Sequence, residues 1–380
     1  MNIEKQNIRK NSLIISRQTN ALKSFLNFFG RSVLLTITAL PTLAIVFMLF
    51  FILKEALPFF KELFYVKEFF TSTNWAPSKE AEPHFGALAI FYGTAMVTFG
   101  ACIIAVPLGI VVSISLNEIL SSKLAQIFKP IVEMLAAIPS VAYGFFAIVI
   151  FAPLLQNCGG ILIAAFVLFV GIPISILLSI PVSEFINQKL HLKNLNVLRI
   201  CVKVFINLLL ISIPLMLANS AFNLKINSGT NALNASIILA IMALPTIVSL
   251  SQDALAGVGR DMREGSLALG GTRFETIFKV ILPCAKSGIA VAVILGLMRV
   301  IGETMVVWMA SGNSLKIPEP FYNFLEPVRT LTATIAGEMG EADQSTGSAR
   351  YHVLFAMSFC LLVSGLIMNF ASQWISKRKY

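Results

Sequence analysis

Charge is scarce in this sequence. Asp, Glu, Lys and Arg make up only 13% of its 380 residues, against roughly 25% in soluble domains. Six long stretches hold no charged residue at all: Ser32–Leu53, Phe85–Asn117, Met134–Ser183, Val204–Leu224, Ile226–Gln252 and Val353–Ser376. A soluble core has no need of such runs, whereas a helix crossing hydrocarbon requires about 20 apolar residues. The alternation of an outer-membrane strand is missing as well, which excludes a β-barrel. Histidine is nearly absent, and His84, His191 and His352 lie far apart, so they form no ligand cluster. The five cysteines, at 102, 158, 201, 284 and 360, include no C-x-x-C pair. Neither a disulfide framework nor a metal site is indicated by them. No G-x-x-x-x-G-K-[ST] occurs, so the chain does not cradle nucleotide phosphates in the P-loop manner. Any ATP that drives it is hydrolysed elsewhere, and the chain reads as a non-enzyme.

What is present is apolar: 57% hydrophobic residues and a mean hydropathy of +0.82. The fold class is therefore all-α and polytopic. We place about eight spans, near 32–53, 87–116, 131–154, 161–183, 204–222, 235–252, 287–311 and 352–375. The fourth is separated from the third by the turn-like "QNCGG" at 156–160. The charged leader is too long for a cleavable signal, so the first apolar run reads as an uncleaved span. The net charge of +10 could suggest nucleic acid. It is better explained by topology. With the N-terminus assigned to the cytoplasm, 20 Lys and Arg fall on that side and 8 outside, leaving Arg299 within the membrane. That asymmetry supports a cytoplasmic location for both termini. The predicted organisation is a basic cytoplasmic tail over 1–31 and one transmembrane unit over 32–380. The tail either is solvated or lies along the headgroups as a short amphipathic helix.

Two segments carry chemistry. The first is "DALAGVGRDMREGSLALGGTRFETIFKVILPCAKSGI" (253–289), charged and on the basic side. It reads as two short amphipathic helices joined at Gly270–Gly271 and ended by Pro283, presented as a surface or resting on headgroups. The second is "GLMRVIGETMVVWMASGN" (296–313), a membrane helix with Arg299 and Glu303 inside it. Entering near Ser287, Arg299 would lie roughly 18 Å deep at 1.5 Å per residue. A cation there costs about 2.5–3.5 kcal/mol on insertion scales. Four residues apart on a helix, the two groups would share a face. An Arg fork binds oxyanions, and a neighbouring carboxylate would keep such an anion from binding too tightly to leave. A structural ion pair is the plainer alternative. Weaker path candidates are Ser140 and Tyr143 after the helix-breaking Pro139, Thr304, and Thr330, Thr332 and Thr334, for which ordinary packing is the competing account.

Glu264, Gly270 six residues on, and "VILP" ending at Pro283 resemble the EAA loop of ABC-importer permeases, with Gly265 and Ser266 at the alanine positions. The stretch "LMRVIGETMVVWMASGN" resembles the signature of Pst-type phosphate importer permeases, and its ending together with "RTLTATIAGEM" (329–339) favours the PstC-type subunit. "NWAP…FGALAIFYGT" (74–94) and "AAIPSVAYGFF" (136–146) fit the same family. The resemblance implies a type I ABC importer fold with a six-helix core, residues 156–230 forming an inserted helical hairpin and 253–286 the cytoplasmic coupling loop. It implies Arg299 and Glu303 in the substrate path; Thr304 and Ser140 stay candidates by their position beside Glu303 and Pro139 alone. Glu264, Gly265, Ser266, Gly270 and Pro283 would couple to an ATPase. The implied partners are a PstA-like sister permease, a PstB-like ATPase dimer that holds ATP and magnesium, and a phosphate-binding protein outside. The chain itself would hold no cofactor. The setting would be the bacterial inner membrane. Rival readings are a permease for molybdate or sulfate, a secondary anion carrier using Arg299–Glu303, and a structural subunit without a path.

Overall fold

The computed structural model describes residues 17–78, 83–189, 196–341 and 348–377. Fourteen helices are assigned there, with one two-stranded ribbon. Helix α1 (Arg17–Lys61) is followed by α2 (Leu63–Thr71), then by β1 (Trp75–Ala76) paired antiparallel with β2 (His84–Phe85). Next come α3 (Leu88–Ile114), prolonged by a π turn at Ser115–Ile119, α4 (Ser122–Ala137), and α5 (Ser140–Phe146) with its π turn at Ala147–Phe151. Helices α6 (Ala152–Lys189) and α7 (Asn196–Phe222) precede α8 (Ala232–Ala256). The remainder is α9 (Arg260–Ala268), α10 (Arg273–Glu275) with a π turn at Thr276–Ile281, α11 (Leu282–Ile301), α12 (Met305–Ala310), α13 (Leu331–Met339) and α14 (Ala349–Lys377).

The centre of the molecule is the α3–α8 pair. Small residues let the two helices touch: a Cβ on Gly100 would meet Ser236 Oγ at 2.5 Å, and one on Gly109 would meet Ile247 Cγ2 at 2.6 Å. Both contacts advance together along the chain, so α3 and α8 run parallel. Helix α11 runs antiparallel to α8, since Gly288 abuts Ala254 and Gly296 abuts Ile247. Around this trio Val97, Ala101, Ile238, Leu239, Met242 and Val300 form a buried core. In hydrocarbon such close approach, rather than burial from water, holds helices together.

Seven helical stretches among the described residues are long and apolar enough to cross a membrane. The all-α, multi-span architecture is as the sequence led us to expect; the difference from eight lies in 131–183. "QNCGG" is not a turn there, because Gln156–Gly160 is helical and the helix is unbroken from Ser140 to Lys189. The glycines serve packing instead. A Cβ at Gly159 would collide with the Ile226 side chain, and one at Gly160 would press on the carbonyl oxygens of Ala221, Phe222 and Leu224 at 2.8–3.0 Å. Helices α6 and α7 thus lie antiparallel along each other, and Gly171 against Pro214 continues the seam. The chain returns beside the point where it left, with Gly229 against Ala152.

Two further boundaries differ. Residues 1–16 of the predicted tail lie outside the described residues, while 17–31 continue without a break into the first spanning helix. Pro283 does not end the helix of the loop, which runs on from Arg273 to Ile301. Proline removes the bond to residue i−4 and crowds its carbonyl. Here that residue is Lys279, which lies in the wider π turn Thr276–Ile281, where the regular α ladder is already relaxed.

At the end of the molecule opposite the 253–286 loop, α13 is fastened by charge. Glu338 is buried, and Oε1 accepts a hydrogen bond from Trp75 Nε1 at 2.9 Å and pairs with Arg329 at 3.0 Å. Arg350 lies 3.7 Å from its other oxygen and 3.0 Å from Glu341. Removing one partner of a buried pair strands the other charge. We expect Glu338→Gln to destabilise the protein by about 3 kcal/mol, read as a lowered unfolding midpoint in detergent together with altered Trp75 emission.

Candidate functional site

The span expected over 287–311 is broken in the middle. Helix α11 stops at Ile301, Gly302 caps it by donating to Met298 O and Val300 O, and α12 starts at Met305. The i,i+4 geometry invoked for Arg299 and Glu303 therefore does not hold, and among the described residues no ion pair joins them. Each answers to a helix end instead. Arg299 occupies the last turn of α11, where a cation is favoured by the helix dipole. Glu303 Oε1 accepts from Val306 N at 3.4 Å, at the first turn of α12. The break leaves backbone groups free, and within a membrane such groups must find partners. The Glu303 carbonyl accepts the hydroxyl of Thr332 at 2.7 Å, while its N–H donates to Val300 O at 3.2 Å.

Arg299 is half-buried. Among the described residues its hydrogen-bond partner is Thr246 Oγ1, 3.0 Å from one terminal nitrogen. Thr246 comes directly after Pro245 in α8, and the close seat of Gly296 on Ile247 brings α11 near enough for the contact. One neutral hydroxyl occupies one of five N–H donors. The rest of the fork is available to an anion, and the neighbouring carboxylate is not spent on neutralising it.

Ser140 opens α5, half-buried, immediately after the kink at Ile138–Pro139. Proline 139 cannot donate to Leu135 O, and the Tyr143 hydroxyl does so at 2.8 Å. Tyr143 also lies within electrostatic reach of Arg299, and Gly144 abuts Met305 O and Met309 of α12. The kink thus packs against the break. Thr304 precedes α12 and makes no side-chain cap. Thr330 caps α13 by accepting from Ala333 N, and Thr334 donates to Thr330 O. Of the three outer threonines, Thr332 is the one that reaches Glu303. Sequence reasoning named Thr332 without its role and missed Thr246; the breakpoint that gives both a purpose was signalled only by Gly302. Thr332→Val should leave the Glu303 carbonyl unsatisfied at a cost of about 1–3 kcal/mol. Uptake should fall and Thr332→Ser should restore it, as read by transport in vesicles.

The predicted coupling residues cluster at the other end. Glu264, Gly265 and Ser266 lie on α9, with Glu264 exposed. Gly270 has φ +86°, a left-handed conformation that a glycine adopts without steric cost. Ser266 and Thr276 hydroxyls meet at 2.9 Å across the turn, and Thr272 with Glu275 forms a reciprocal capping box. Between α9 and the π turn at Thr276–Ile281 lies an open groove of about 450 Å³ that includes Met262, Leu269 and Lys279. Leu269, beside Gly270, is 91% exposed.

Residues 105–379 match the family described as binding-protein-dependent transport system inner membrane component. The chain is 30% identical over 313 residues to a probable ABC transporter permease protein, YqgH, of Bacillus subtilis, covering 82% of this chain and 78% of that one. It is 33% identical over 298 residues to the phosphate transport system permease protein PstC of Mesorhizobium japonicum, covering 77% and 75%. The PstC of Xylella fastidiosa is 29% identical over 303 residues, covering 79% and 78%.

Proposed function

Since the chain belongs to the family of binding-protein-dependent transport system inner membrane components, we propose that it is the PstC-type permease subunit of an ATP-driven phosphate importer. Similarity to named phosphate permeases supports the substrate. The observation that carries the mechanism is the Arg299 fork. It lies half-buried at a helix break, holds one neutral partner, and has nearby a carboxylate that caps α12 rather than pairing with it. A guanidinium in that state binds a tetrahedral oxyanion through parallel charge-assisted bonds. Glu303 limits the residence of that anion by like-charge repulsion. Ser140 and Thr304 lie beside the break and complete the path with the equivalent groups of a sister permease.

The 253–286 loop faces the cytoplasm in this reading and docks on an ATPase dimer through Leu269, Glu264 and the groove beside them. Gly265, Ser266 and Pro283 shape that surface. Because the α6–α7 hairpin leaves and returns beside Ala152, it does not invert the helices from α8 onward. The excess of basic residues then puts both termini inside, in a bacterial inner membrane. Residues 156–230 form a peripheral addition to the transport core. ATP and magnesium act on the partner ATPase, and a phosphate-binding protein delivers substrate from outside.

The test is reconstitution of the complex in liposomes, with phosphate, molybdate and sulfate supplied in turn. ATP hydrolysis and uptake stimulated by phosphate alone are expected. Stimulation by molybdate or sulfate instead would reassign the substrate. Uptake that persists without an ATPase would turn the reading into a secondary carrier.

A further inference from the structure

We propose that Arg263 and Glu118 form the mechanical link through which the coupling loop moves the membrane core. The link rests on the reading of the chain as an importer permease. Arg263 lies on α9, next to the coupling residues, and Glu118 lies in the π turn that ends α3. The two are 145 residues apart in sequence and meet side-on: Nη2 to Oε1 at 2.7 Å, Nε to Oε1 at 3.2 Å and Nε to Oε2 at 3.4 Å. The same guanidinium donates to Leu255 O, at the end of α8, at 2.8 Å and to Val258 O in the turn just beyond it. One side chain therefore ties α9 to both α3 and α8.

The link is shielded rather than solvated, with 22% of the Arg263 side chain and 9% of the Glu118 side chain exposed. Asn117 Nδ2 donates to Glu118 Oε1 at 2.7 Å and helps fix the carboxylate. Behind it Ile114, Leu255, Val258, Ile277 and Ile281 pack into one apolar cluster that joins α3, α8 and the start of α11. Exposed ion pairs are worth little, but a shielded bidentate pair resists shear in two directions. Helix α8 carries Thr246, the partner of Arg299. A push on α9 is thus delivered to the helix whose Thr246 hydroxyl holds the Arg299 fork of α11. Without Arg263, α9 would hang from the core by its chain ends and the contacts of its turn. Arg263 and Glu118 are positioning residues in this account, since neither touches substrate.

The test uses the full reconstituted complex, spin-labelled at Arg260→Cys on α9 and Leu88→Cys at the opposite end of α3, with the five native cysteines replaced. With the link intact, α9 and α3 move as one body. The inter-label distance distribution should then stay the same when ATP and magnesium are added. With Glu118→Gln or Arg263→Gln, ATP should shift or broaden it. Uptake per ATP hydrolysed should drop about tenfold in each variant, with the double variant no worse than either single one, the signature of two residues acting as a unit. Unchanged distances in the single variants, or deficits that multiply in the double variant, would overturn the link. Phosphate uptake by the unsubstituted complex is scored separately. Its absence alongside an ATP-dependent shift in the variants would sink the substrate assignment and leave the link standing.

Discussion

Arg299→Gln will abolish phosphate uptake while the complex still assembles and reaches the membrane. Arg299 closes α11, and the described structure gives it one uncharged partner, Thr246. Folding therefore draws little on its charge. Losing one charge-assisted hydrogen bond and a dipole contact costs about 2–4 kcal/mol, which a chain of this size tolerates. Transport draws on the charge directly, because glutamine has neither the positive charge nor the fork that an oxyanion requires. With Glu303 left alone, the path becomes repulsive to anions. Uptake in vesicles should fall to background, with the amount of purified complex and its basal ATP hydrolysis close to normal. Arg299→Lys keeps the charge as a point and loses the bidentate geometry, so it should retain transport with an apparent affinity lowered about tenfold, the equivalent of about 1.4 kcal/mol. Normal uptake by Arg299→Gln would remove the arginine from the path. Failure of both variants to assemble would make it a structural residue instead.

The route from sequence to this site was uneven, and the reasons are physical. Hydrophobicity is additive along the chain, so the spans, the loop at 253–286 and the odd chemistry of Arg299 and Glu303 were legible from residue identity. Helix breaks are not additive. Gly302 is one of many membrane glycines, and only the partners of the freed groups, the Thr332 hydroxyl for the Glu303 carbonyl and the Glu303 carboxylate for the Val306 N–H, distinguish a break from a tolerated glycine. The converse error fell at Gly159 and Gly160. There the same residue type allows α7 to approach and the helix continues. Whether glycine ends a helix or admits a neighbour depends on a segment some 60 residues further along, which local pattern does not contain. Arg263 and Glu118 were invisible for the same reason. Each is an ordinary charge at a helix end until the fold brings them together.

Gly270→Val will uncouple ATP hydrolysis from uptake, and Gly265→Ala will not. The two glycines make a controlled pair. A Cβ built on either meets nothing within 4 Å, so neither substitution creates a clash. They differ in backbone. Gly265 lies inside α9, where alanine is better than glycine by about 1 kcal/mol. Gly270 sits at φ +86°, which costs an L-residue about 1–2 kcal/mol, and a β-branched one more. Valine relieves that strain by abandoning the left-handed turn. The turn sets the angle between α9 and the π turn at Thr276, held otherwise by the Ser266–Thr276 contact, and it places Leu269 outward. Once the angle changes, the apolar knob and the groove beside it no longer present one rigid surface, and closure of the ATPase is no longer delivered to α9. In reconstituted complexes Gly270→Val should hydrolyse ATP without response to phosphate and import almost none. Gly265→Ala should match the unsubstituted chain or exceed it in thermal stability. If the valine variant keeps its coupling, the left-handed turn is incidental and force enters through another contact. If the alanine variant loses it, the loop works by flexibility rather than by stiffness.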